Sequence, residues 1–139
     1  MLTFVEAISL AGDRKKQNDD ACGFTDARAW VIDGATDLHD APLTGAASDA
    51  AWFAHYANVY LHGPVSDDPI GEVTTAAAGA FHVLTRGRAH EPWQSPTASL
   101  LMLEERGGGF QFTNEFTIEV ENEERPACIA EVVSLVYPA

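Results

Sequence analysis

Apolar positions form short runs toward both ends of the chain and repeat at helical spacing only in the middle. Leu2 to Ala11, rich in Phe, Val, Ile and Leu and closed by Gly12, predicts a first strand. From Asp13 to Asp20 every residue is charged or amide-bearing, so this stretch is a solvated or ligand-facing connection. Cys22 to Thr25 predicts a short second strand. Ala29 to Ile32 predicts a buried strand that stops abruptly at Asp33-Gly34. Next, Ala46, Ala50, Phe53, Ala57, Tyr60 and Leu61 recur at spacings of three and four, with Thr44 as the expected N-cap. Ile70, Val73, Ala77, Phe81 and Leu84 repeat the pattern behind Asp68-Pro69, a cap followed by a proline in the first turn. Thr97–Glu104 and Phe110–Thr113 flank Arg106-Gly107-Gly108-Gly109 and predict a β-hairpin. The glycine triplet is a turn rather than a phosphate loop, because no Lys-Ser/Thr and no helix start follow it. Beyond Asn114, six glutamates are interspersed with Ile118, Val120 and the run Ile129–Tyr137, and both strand and helix remain open there.

Strands, then two helices, then strands favour an α+β layered domain over a doubly wound parallel sheet. With 139 residues, 46% of them hydrophobic, the chain can bury one core, and a single domain is expected. The balance of 21 acidic against 8 basic residues, a net charge of −13, opposes attraction to nucleic acid phosphates and anionic membranes. Neither is an expected partner. Cys22 and Cys128 form no disulfide framework or zinc-ligand spacing and suit a reducing compartment. The apolar run Leu2–Leu10 contains Glu6 and lacks a basic leader, unlike a signal peptide, and no run reaches the roughly 20 residues of a membrane helix. A cytoplasmic protein is expected.

Charge is unevenly placed. Arg14, Lys15 and Lys16, three of the eight basic residues, stand immediately before Gln17-Asn18-Asp19-Asp20, and Trp30-Val31-Ile32-Asp33-Gly34-Ala35-Thr36 follows. Carboxylates from a loop and from a strand end can converge on a hard divalent cation, and a glycine lets backbone approach it closely. Adjacent cationic side chains can hold a phosphate. Over residues 12–38 this arrangement resembles the opening segment of the phosphatase 2C family, whose bacterial members carry a basic residue, then Asn-Glu-Asp, then a strand ending in Asp-Gly at the same interval as Asp19 to Asp33. The resemblance implies that Asp19 and Asp33 are catalytic metal-holding acids, with Asp33 bridging and Asp19 in place of a glutamate. It implies that Gly34 offers a backbone carbonyl to metal and that Lys15 or its neighbour Arg14 holds the substrate phosphate. It further implies two Mn2+ or Mg2+ ions, a phosphoserine or phosphothreonine protein as substrate, and a β-sandwich flanked by helices, of which residues 1–113 resemble the first half. Residues 114–139 are then a divergent acidic segment of the same domain.

The departures define the alternative. No aspartate follows Asp68, whereas the family supplies further metal aspartates late in the chain, and Asn114-Glu115 stands where a Gly-Asp pair is expected. A noncatalytic phosphatase-like binding module, or a fragment lacking the later ligands, is the competing reading; Glu115, Glu119 and Glu121 are candidate replacements. Ala35 occupies a position where some members place a histidine, and His39 is the nearest substitute. His55, His62, His82 and His90 read as helix or loop residues, and Trp30, Trp52 and Trp93 as core anchors. Incomplete sheets would leave exposed edges, which favour a homo-oligomer.

Overall fold

The computed structural model describes residues 6–11, 15–35, 37, 39, 41–64, 67–86, 90–118 and 128–137. Five antiparallel strands lie in sheet order β1-β2-β3-β4-β5: Ala21–Phe24, Arg28–Gly34, Ala98–Arg106, Gly109–Ile118 and Cys128–Val136. Between β2 and β3 the chain forms two helices, α1 (Asp49–Leu61) and α2 (Pro69–Leu84), and one 3-10 turn (Pro92–Gln94). The α+β order is as expected. The expected sandwich is not seen among the described residues, which form one sheet with α1 against one face of β1–β3 and α2 packed on α1.

β1 and β2 form a hairpin closed at Thr25, whose hydroxyl accepts from the amides of Ala27 (3.3 Å) and Arg28 (3.1 Å). The hairpin sets the register Ala21↔Ile32 and Gly23↔Trp30. Side chains alternate across a strand, so Ala21, Trp30, Ile32 and Met102 share one face. There they pack with Ala54, Ala57 and Leu61 of α1 and Val73 of α2 to form the core. Small residues at Ala50, Ala51, Ala54 and Ala57 let α1 lie close to the sheet.

The amphipathic readings hold for α2, where Asp68 caps and Val73, Ala77 and Phe81 are buried, although Leu84 is exposed. For α1 they shift. Ser48, not Thr44, is the N-cap, and the buried stripe runs through alanines while Tyr60 faces solvent. Thr44 was misassigned because its hydroxyl serves Asp49 instead. The strand expected over Leu2–Ala11 also fails in its described part: residues 6–11 are irregular, and Ile8 and Leu10 are exposed. An apolar run specifies a strand only when a neighbour takes up its backbone hydrogen bonds. In the hairpin, Gly107 and Gly108 both have positive φ (57° and 85°), the geometry of a tight two-residue connection between β3 and β4. The open C-terminal segment resolves as strand β5, paired with β4 from Phe110↔Val136 to Ile118↔Cys128.

Trp30 is a core anchor whose indole N–H donates to Asn58 Oδ1 at 2.9 Å. Gly23 makes room for both, since a Cβ there would stand 2.5 Å from the indole and 2.7 Å from Asn58 Oδ1. Asn58→Ala is expected to leave the indole donor unsatisfied and to cost about 1–3 kcal/mol in urea denaturation. A loss below experimental error would show that water replaces Asn58. Arg28 and Glu104, cross-strand partners on the same face, are both buried; Arg28 Nη2 donates to the Gly63 carbonyl at 3.1 Å, while its Nε lies 3.8 Å from Glu104 Oε1. Such a pair fixes geometry more than it stabilises.

Candidate metal centre

The β1–β2 register, continued two steps before β1, sets Asp20 opposite Asp33 and Asp19 opposite Gly34. The side-chain chemistry follows from that pairing. Partial desolvation pushes the Asp33 carboxyl above its ordinary value, and Asp20 raises it further by sharing a hydrogen bond and by its own negative charge. Without a cation beside it, the Asp33 carboxyl therefore retains its proton more readily than a free aspartate. Asp19 adds an oxygen donor: its Oδ1 is buried and has no hydrogen-bond partner among the described residues. A Cβ on Gly34 would run into the Asp19 carbonyl oxygen and would lie 3.3 Å from the Ala50 carbonyl, so only glycine allows the two segments to touch here. Asn18 ties the loop down, its amide donating to Ser9 Oγ at 2.7 Å and its Oδ1 accepting from the Asp20 amide at 3.4 Å.

Of the residues expected to form a site, Asp19, Asp33 and Gly34 lie at one end of the hairpin. Lys15 is exposed in the turn that leads into the acidic run. Arg14 lies outside the described residues, as do Glu119 and Glu121. Asp20, to which the resemblance gives no role, is the residue that faces Asp33. Its signal was available in the hairpin arithmetic, because a turn centred between Asp26 and Ala27 pairs 20 with 33.

A second cluster lies beside the first. Asp37 accepts from the amides of Asp49 (2.7 Å) and Ala50 (3.0 Å) and so caps α1 from the preceding loop. Asp49, fully buried, accepts from the amides of Leu43 (2.7 Å) and Thr44 (2.8 Å), from the Thr44 hydroxyl, and faces His39 Nε2 at 3.1 Å. Burial acts to raise the Asp49 pKa, but the hydrogen bonds from Thr44, Leu43 and His39 outweigh it and hold the group below its ordinary value. The carboxylate is thus ionised, and His39 Nε2 carries the proton between them. Asp37, His39 and Asp49 lie within ligand distance of one another. Their carboxylate oxygens are already engaged by N–H and O–H donors, which makes the cluster a clasp holding the 37–44 loop to α1. His39, the nearest substitute for the histidine missing at Ala35, has a largely buried ring with an edge contact to Trp93 at 6.2 Å, so its approach to a substrate leaving group is blocked. Trp93 is itself half exposed rather than a core anchor.

No family model matches the chain, and no curated protein matches it. Among solved structures, the Mycobacterium tuberculosis serine/threonine phosphatase PstP/Ppp is similar at a TM-score of 0.46 and 11% identity, over 84% of this chain and 47% of that one. The chain spans about half the length of that phosphatase structure. Among the described residues no helix is long and apolar enough to cross a membrane.

Proposed function

We propose that the Asp19, Asp20, Asp33 and Gly34 cluster is a divalent-cation site and that the chain is a metal-dependent phosphatase acting on phosphoserine or phosphothreonine proteins. The observation that carries this reading is the cross-strand pairing of Asp33 with Asp20 beside the unpartnered Asp19 oxygen. An all-oxygen, acidic donor set fits Mn2+ or Mg2+, and the orphaned oxygen is the kind of buried polar atom that a hard cation satisfies. When bound, such ions supply acidified water and offset charge on the phosphoryl oxygens. Asp33 and Asp19 hold the ions through their carboxylates, and Gly34 contributes its carbonyl. Asp20 keeps Asp33 oriented and adds negative charge. Lys15 and Arg14, immediately before the acidic run, draw in and orient the substrate phosphate.

Hydrolysis of a chromogenic phosphate ester by the full chain with Mn2+ tests the reading. Turnover is expected to vanish on chelation and to fall roughly a hundredfold or more in Asp33→Asn, in keeping with loss of a metal ligand. Calorimetric titration with Mn2+ separates the rival class. Cation binding without turnover would identify a noncatalytic binding module, and neither binding nor turnover in folded protein would remove the metal site altogether.

A further inference from the structure

Helix α1, with α2 packed on it, covers one face of β1–β3, and the residues of opposite parity line the other. Cys22, Phe24, Val31, Leu101, Leu103 and Phe112 of that second face line an open groove of about 660 Å³, whose wall also takes in Ala7 and, from the helix side, Trp30, Asn58 and His62. Phe24 is 44% exposed, Val31 53% and Leu101 44%. These side chains adjoin one another through the pairings Cys22↔Val31, Val31↔Leu101 and Leu103↔Phe112, so they form a continuous apolar surface rather than scattered residues. Patches of several hundred Å² on one side of a protein mark a place where something docks.

We propose that this face is covered in solution by a second copy of the chain, packed sheet against sheet about a two-fold axis. Size is the first argument. Five strands spaced about 4.8 Å apart and about seven residues long, at about 3.4 Å per residue, present a plan area on the order of 600 Å². Two such faces together bury roughly 1,200 Å² before side-chain relief is counted, which reaches the lower end of stable interfaces. Charge is the second. Although the chain carries −13 overall, the charges on this face among the described residues stand at its ends: Asp20 and Asp33 at one, Glu105 at the other. An uncharged centre needs no partner of opposite sign and tolerates its own copy. Shape is the third, because two sheets of the same twist pack with strands about 30° apart, so their corners diverge and the acidic ends stay wet. The dimer does not depend on the metal site being active.

Sedimentation equilibrium of the full chain, from micromolar to several hundred micromolar, reads this directly. The wild type is expected to sediment at twice its 14.9 kDa mass at the upper concentrations. Val31→Lys and Leu101→Lys, each placing an unpaired charge in the centre of the interface, should raise the dissociation constant by roughly a hundredfold or more while the circular dichroism spectrum is kept. Val59→Lys, on the outer side of α1 where Val59 is 73% exposed, should leave association unchanged. A wild type that remains monomeric throughout would overturn the proposal. So would association that survives both sheet substitutions, or that responds equally to Val59→Lys.

Discussion

Asp49→Ala is expected to lower the unfolding free energy by about 3–5 kcal/mol, a large share of the roughly 5–15 kcal/mol that holds a typical domain. Alanine is a better helix former than aspartate, so the loss cannot come from helix propensity. It comes from the donors left behind. The amides of Leu43 and Thr44, the Thr44 hydroxyl and His39 Nε2 all point at the Asp49 carboxylate, and each unsatisfied buried donor costs about 1–3 kcal/mol. The same group gives the fold a predictable acid limb. Its folded pKa lies below the ordinary aspartate value, because hydrogen bonds outweigh the opposing effect of burial. Its contribution is therefore fully present above the unfolded pKa of about 3.9 and is lost as pH falls through the folded one. Guanidinium titrations at neutral and acid pH should show the wild type weakening below about pH 4, and Asp49→Ala already weak at neutral pH with a shallower acid limb. A variant within 1 kcal/mol of wild type would mean that water satisfies the clasp.

The second large effect is expected at Gly34. Gly34→Ala pushes a methyl group against the carbonyl oxygens of Asp19 and Ala50, and both obstacles are backbone. No side chain can swing aside, so β1 and the Asp19 loop must move. Overpacking of this kind costs about 1–3 kcal/mol. The movement also separates Asp19 from Asp33, so Mn2+ affinity measured by calorimetry should fall at least tenfold, as it does when supports of a metal site are disturbed. Gly79→Ala is the matched control. Gly79 sits in α2 with open space around its Cβ position, where alanine should stabilise by up to about 1 kcal/mol. Equal behaviour of the two glycine variants would remove the steric reading of Gly34.

The hairpin that brings Asp19 and Asp20 to Asp33 and Gly34 was legible because its signals are local. Charged and amide residues crowd one loop, an apolar strand follows, and a short hairpin brings their ends together. The α2 boundaries were equally local, with Asp68 and Pro69 marking the first turn. What the sequence hid depends on distant partners. The stripe on α1 was misread because alanines, not the larger Phe53 and Tyr60, face the sheet, and the closeness of helix to sheet is visible only in three dimensions. Leu2–Ala11 has strand composition, but its described part pairs with no strand among the described residues. Asp49 looked like an ordinary first-turn acid, and its role arises from a loop that folds back across five to ten residues. The uncovered sheet face was invisible for the same reason: alternation marks both faces of β2 and β3 as apolar and does not say which one the helices take.

The hairpin register also determines when the acidic centre assembles. Asp20 and Asp33 meet as soon as the Thr25 turn closes, a contact between chain neighbours that needs no helix and no distant strand. Short loops close fastest, so the carboxylates are brought together at the start of folding, before the core exists to enforce them. Their mutual repulsion is then expected to oppose nucleation of that hairpin, and the proposed cation would act on the speed of folding as well as on the finished fold.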